Sequence, residues 1–208
     1  LTGLQQETGL TGKGTVHLGS ADVPDPRLDY LFQLYKPAKK VNARIQFKDI
    51  PGVRFDQGTS LAAKIWEEVR GADALVQVVR AFRNRLVSSA AGEPNPFKEI
   101  NDFASELLLA DMVSIENRLE RIKQAPKPPK NAEFQVAVLE KILTALEDEQ
   151  PAGSVPLDQE ERQVIAGHNF FSEKPLIIAV NLDQDQFASG NYPEREKLLD
   201  YASASTFR

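Results

Sequence analysis

There is no cysteine anywhere in the 208 residues. Disulfides and thiolate metal sites are therefore excluded, and the chain suits a reducing cytoplasm. Histidine is almost as scarce. His17 and His168 lie far apart in sequence with no acids at metal-ligand spacing, and both read as surface or cap residues. With a single methionine, redox chemistry carried by side chains is not expected. No apolar run approaches the ~20 residues of a membrane span. The opening "LTGLQQETG" has neither a basic head nor an apolar centre, so no secretory signal is read. It also lacks an initiator methionine, and the chain is expected to begin inside a longer protein. An excess of positive charge is missing too. Against 30 acidic side chains stand 25 basic ones, giving a net charge of −5 and a pI near 5.2. Such a field does not coat nucleic acid, although it leaves room for local basic patches.

What is present is enough apolar material, 41% of residues, to bury a core in one or two domains. Two textures follow one another. Residues 1–82 and 173–208 carry short β-like runs separated by helical patterns. The strand candidates are Arg44–Ile50, Ala74–Val79 and Leu176–Asn181. The first alternates Ile45 and Phe47 with polar partners, as a half-buried strand does. The others, "ALVQVV" and "LIIAVN", are nearly continuous apolar runs, which predicts parallel strands covered on both faces. Ser60 to about Gly71 reads as a helix capped by Ser60, with Leu61, Ile65, Trp66 and Val69 on one face. "PDPRLDYLFQLY" predicts an earlier helix that opens on proline. Strand–helix–strand alternation of this kind indicates an α/β sheet.

The middle, about 95–172, shows no strand pattern. Leu108, Met112, Ile115, Leu119 and Ile122 recur at alternating gaps of four and three, which is a coiled-coil seam; Ile100, Phe103 and Leu107 prolong the apolar face. "QAPKPPKN" breaks that helix, because three prolines cannot sit in a helix interior. A second helix is predicted from Ala132 to about Asp148, with Leu139, Ile142 and Leu146 on one stripe. Two helices joined by a short breaker make an antiparallel hairpin. A third helix is expected over Asp158–His168. The acidic residues around 147–161 read as a solvated face and loop.

Two motifs carry chemistry. Asp49-Ile50-Pro51-Gly52 follows a strand and fits Asp-x-x-Gly, the element found after a strand in P-loop nucleotide hydrolases. An aspartate there can hold the hydration shell of Mg²⁺, and a glycine frees a backbone N–H to approach a γ-phosphate. The same four residues also serve as a plain turn after an edge strand. Asn181 emerges from the end of "PLIIAVN", where base-recognition loops lie in open α/β sheets; its alternative is again a turn. The phosphate loop itself, Gly-x-x-x-x-Gly-Lys-Ser/Thr, is absent. "TGKGT" at 11–15 does not supply it, since Gly12-Lys13 is followed by Gly14, the position five before Gly12 is Glu7, and no strand precedes it.

In order, "VPDPRLDYL", "IQFKDIPG", "GADALVQVVRAF", "INDFASELLLADMVSIENRLERIK" and "EKPLIIAVNLDQD" resemble the Obg-like ATPase family, also called the YchF family, of translation-factor-class P-loop hydrolases. The resemblance runs from about Pro24 to Asp185. It implies an α/β, Ras-like domain, here incomplete, over residues 1–94 and 173–208, interrupted by an antiparallel helical coiled-coil insert over 95–172. In the family the phosphate loop lies at the extreme amino end and a helix after it ends in a sequence like "LTG", so the loop is expected just upstream of Leu1. A carboxyl-terminal TGS domain is expected beyond Arg208. The fragment is accordingly expected to bind nucleoside triphosphate poorly on its own.

By the same resemblance, Asp49 would help to hold Mg²⁺ and Gly52 would face the γ-phosphate. Val53 stands where the family carries a hydrophobic residue in place of the water-orienting glutamine of Ras-like enzymes. Asn181 and Leu182 match the start of the base-recognition loop; where the family has Asn-x-x-Glu, this chain places Gln184. The family's Mg²⁺-binding threonine aligns nearest Lys13, flanked by Thr11 and Thr15, either of which is a candidate. The second switch, "VRFDQGTS", is about two residues shorter than the family's.

The resemblance implies a cytoplasmic, monomeric, ribosome-associated regulator that binds and hydrolyses ATP or GTP, without a membrane role. The competing reading is a non-catalytic helical interaction module on a degenerate scaffold. A partner surface is expected at the hairpin tip, where Arg118, Arg121, Lys123, Lys127 and Lys130 face only Glu120 in the local sequence. Ribosomal RNA is the expected contact of Lys123, Lys127 and Lys130.

Overall fold

The computed structural model describes residues 17–50, 60–83 and 93–204. Thr11, Thr15, Gly52, Val53 and the "TGKGT" segment lie outside the described residues. The chain divides into two compact units, residues 1–65 and 66–208.

In the first unit, β1 (His17–Asp22) runs antiparallel to β2 (Arg44–Asp49), in a register that sets His17 opposite Asp49 and Asp22 opposite Arg44. An Arg44–Asp22 ion pair at 2.9 Å closes the far end of the ladder. Between the strands lies α1 (Pro26–Tyr35). Asp25 caps it by accepting the Arg27 N–H at 2.9 Å, and Pro26 takes the first helical position, where no N–H is needed. Lys36, in a left-handed conformation at φ 45°, closes its carboxyl end. The expected β2 is present, but its alternation does not produce a half-buried face: Ile45 is 49% exposed and only Phe47 and Lys48 are partly covered. Among the described residues, the two-stranded ladder offers Ile45 no layer to pack into.

The second unit holds a parallel pair, β3 (Leu75–Arg80) and β4 (Leu176–Asn181), in register from Leu75↔Leu176 to Arg80↔Asn181. The division between units falls within α2 (Ser60–Arg70). Between β3 and β4 in sequence come α3 (Pro96–Gln124), α4 (Ala132–Glu147) and α5 (Gln159–Ile165); α6 (Gln184–Ser189) and α7 (Arg195–Ala204) follow. Asn95 caps α3 by accepting the Lys98 N–H at 3.0 Å. A reciprocal cap between Asp158 and Glu161 starts α5.

Two cores share α3. At its amino end Ile100 joins Val79 and Leu198, with Phe97, Ile178 and Val180 beside them. Farther along, Leu108, Ile115, Leu119 and Ile122 pack on Val138, Leu139, Ile142 and Leu146 of α4. The apolar seam read from the sequence is therefore the helix–helix contact. The expectation that β3 and β4 are covered on both faces needs correction. Ile100 and Leu198, from α3 and α7, cover one face, whereas Val76, Val78 and Ile177 on the other are 49%, 66% and 57% exposed. Among the described residues, no helix is long and apolar enough to cross a membrane.

Candidate functional site

The parallel register brings both strands of the second unit to an end together, and the ladder continues one step further, with the Ala81 N–H donating to the Asn181 carbonyl at 3.0 Å. Asn181 is exposed at that end, and Leu182 beside it is partly covered. Asp183 then caps α6. Its Oδ1 accepts the Gln186 N–H at 2.8 Å, while Gln186 Oε1 accepts the Asp183 N–H at 3.1 Å. Gln184 is the first residue of α6 and is exposed. Asn181, Leu182 and Gln184 thus form one loop beyond the carboxyl ends of β3 and β4, the position that open α/β sheets use for ligands. Amide side chains at Asn181 and Gln184 can each donate and accept, so the loop can pair with either purine. The sequence did not single out Gln186; a glutamine three residues after a capping aspartate was the available signal.

Asp49 ends β2 in the other unit, exposed, and makes no ion pair among the described residues. A free carboxylate at a strand end is a hard oxygen donor, which suits a hydrated Mg²⁺. Among the described residues, no group of three or more His, Cys, Asp and Glu side chains is placed to hold a metal ion.

A second constellation was not anticipated. Asp111, fully buried in α3 one position before the seam residue Met112, accepts the N–H groups of Phe171 at 2.9 Å and Ser172 at 2.8 Å. Ser172 Oγ in turn accepts the Ala152 N–H at 3.0 Å. The Arg70 guanidinium lies 4.3 Å from the centroid of the Phe171 ring and donates to the His168 carbonyl at 3.0 Å. Trp66 meets the same ring edge-on at 5.2 Å. Burial pushes the Asp111 carboxyl above its ordinary value, while the two N–H groups, the Ser172 hydroxyl and the Arg70 charge pull it back. A lone aspartate inside "LLLADMVSI" was the signal for this site, because a carboxylate on a buried stripe needs partners. His168, read as a surface or cap residue, is half-buried just past the end of α5 and stacks on Phe170 at 5.3 Å. Burial and then the charges of Arg118 and Arg70 lower its pKa.

At the end of the helix pair, Arg118, Arg121, Lys123, Lys127 and Lys130 are all exposed. The cluster is less purely basic than its local sequence suggests, because Lys123 pairs with Glu140 of α4 at 3.3 Å and Arg118 reaches Gln135 at 3.5 Å. Lys127 and Lys130 make no ion pair among the described residues.

No family model matches the chain. Curated proteins do. The chain is 36% identical over 180 residues to the ribosome-binding ATPase YchF of Pasteurella multocida, covering 85% of this chain and 50% of that protein. It is 32% identical over 191 residues to the protein of the same name from Bacillus subtilis, covering 90% and 52%. It is 29% identical over 174 residues to Obg-like ATPase 1 of Schizosaccharomyces pombe, covering 79% and 44%. The solved structure of the Schizosaccharomyces pombe YchF GTPase superposes with a TM-score of 0.74 at 26% identity, over 91% of this chain and 52% of that one. The chain spans about half the length of the curated relatives it matches.

Proposed function

The chain belongs to the Obg-like ATPase (YchF) family, and from that premise we propose that it is part of a ribosome-associated protein that binds and hydrolyses ATP or GTP with Mg²⁺. The observation that carries the reading is the loop of Asn181, Leu182 and Gln184 at the common end of two parallel strands in register, where a purine base would sit. Residues 1–94 and 173–208 form the nucleotide domain in this reading, Ras-like and incomplete. Residues 95–172 form an antiparallel coiled-coil insert, supported by the continuous apolar contact of α3 with α4.

Asp49 is the residue of this chain that would hold the hydrated Mg²⁺, with Gly52 beside the γ-phosphate and Thr11 or Thr15 as a further ligand. The ion, when bound, neutralises charge on the phosphates. Among the described residues Asp49 makes no ion pair, which leaves its exposed carboxylate in reach of solvent for that role; Asn181 and Gln184 orient the base. Lys123, Lys127 and Lys130 make the ribosomal contact, and the protein works as a cytoplasmic monomer. The names of the relatives favour this reading over a non-catalytic interaction module.

Competition binding and hydrolysis assays on the full-length protein test the reading. Mg²⁺-dependent turnover is expected, with weak discrimination between ATP and GTP or a preference for ATP, because the neutral Gln184 amide does not supply the paired carboxylate oxygens that select guanine. A hundredfold preference for GTP would refute the assignment of Gln184, and absence of nucleotide binding by the full-length protein would refute the whole.

A further inference from the structure

The backbone N–H and the side chain of Gln186 make three polar contacts, and each bears on the loop before it. Its backbone N–H donates to Asp183 Oδ1 at 2.8 Å, and its side-chain Oε1 accepts the Asp183 N–H at 3.1 Å. Its Nε2 donates to the Ala81 carbonyl at 3.0 Å, a partner 105 residues away at the end of β3. The Ala81 N–H meanwhile donates to the Asn181 carbonyl. Asn181, Asp183 and Gln186 are therefore all tied, directly or through one another, to the end of β3.

We infer that Gln186 is a positioning residue for nucleobase recognition: its side chain holds the Asn181–Gln184 loop against the end of β3. The inference rests on the nucleotide-binding reading above. Guanine is selected when one carboxylate accepts two parallel N–H donors, which takes both of its oxygens. Asp183 Oδ1 accepts the Gln186 backbone N–H and so turns toward the helix it caps. The loop then meets the base with the amides of Asn181 and Gln184, which do not select guanine. Removing the Gln186 side chain opens half of the reciprocal cap and cuts the only side-chain tie from α6 to β3 among the described residues.

The test is titration of the full-length protein and its Gln186→Ala and Gln186→Glu variants with fluorescent ATP and GTP analogues, with thermal melting alongside. Gln186→Ala is expected to weaken the ATP analogue about threefold to tenfold, the scale of one or two hydrogen bonds. The GTP analogue should weaken to the same extent, because the bond to Asp183 Oδ1 comes from the backbone N–H of residue 186 and survives the substitution. Gln186→Glu keeps the acceptor for the Asp183 N–H but sets an oxygen against the Ala81 carbonyl; it should weaken both analogues as well. Both variants should melt close to the parent's temperature. An affinity loss that only follows a lowered melting temperature would mark a merely structural residue and overturn the inference, as would parental affinities in Gln186→Glu. If the parent itself binds neither analogue, the nucleotide reading fails and the inference goes with it; parent binding with parental affinities in Gln186→Ala overturns the inference alone.

Discussion

The buried carboxylate of Asp111 accepts the backbone N–H of Phe171 at 2.9 Å, sixty residues along the chain. The adjoining N–H of Ser172 donates to the other oxygen at 2.8 Å. Because the Phe171 ring also lies under Arg70 and against Trp66, α2, α3 and the approach to β4 meet around one residue. The contact is polar on its backbone side and aromatic on its side-chain side. It fixes where the segment feeding β4 leaves the helical core, and through β4 it fixes the loop that begins at Asn181.

Asp111→Asn is therefore expected to destabilise the fold. An amide presents one acceptor and one donor to two N–H groups, leaving a buried donor without a partner at a cost of about 1–3 kcal/mol. The urea midpoint should fall with an unchanged denaturant slope. An unaltered midpoint would show that the two N–H groups find other acceptors.

His168 gives the fold a pH dependence of definite sign. Its pKa is lowered from the ordinary value near 6.5, chiefly by burial and then by the positive charges of Arg118 and Arg70. Below 6.5 the unfolded chain takes up a proton that the folded chain resists, so stability falls as pH falls through that region and levels off above it. Thermal melts from pH 5 to 8 should slope less in His168→Phe, which keeps a ring to stack on Phe170. Equal slopes in parent and variant would assign the dependence elsewhere.

The helix tip predicts a salt effect. At ~1.5 Å rise per residue, α3 carries Lys127 and Lys130 about 40 Å from its own start. Replacing Lys123, Lys127 and Lys130 with Glu in the full-length protein should weaken ribosome co-sedimentation. The slope of log affinity against log salt should fall by roughly 0.7–0.9 for each phosphate that the variant no longer neutralises. Lys123→Glu also breaks the Glu140 pair, so the Lys127→Glu, Lys130→Glu double variant separates binding from helix stability. Unchanged pelleting across the salt series would remove the tip from the interface.

Local periodicity determined most of the elements. The runs Arg44–Asp49, Leu75–Arg80 and Leu176–Asn181, the helices from Pro26 and Ser60, and the long seam through Ile115 and Ile122 all end within a residue or two of where alternation and heptad spacing place them. Both repeats are properties of neighbouring residues, so no partner is needed to see them. The ordered motifs from "PDPRLD" to "PLIIAVN" were likewise legible, as was the end of β4 at Asn181. Tertiary structure decided the rest. "HLGSAD" has no apolar alternation and becomes β1 only because β2 offers it a ladder. Val76 and Val78 read as covered, yet their exposure depends on which helices pack on the sheet, and in the described residues α3 and α7 take one face alone. Asp111 and Gln186 look like ordinary helix residues. Their weight comes from Phe171, Ser172 and Ala81, at separations of 60 residues or more, and contacts of that range are set by packing rather than by any repeat in the sequence.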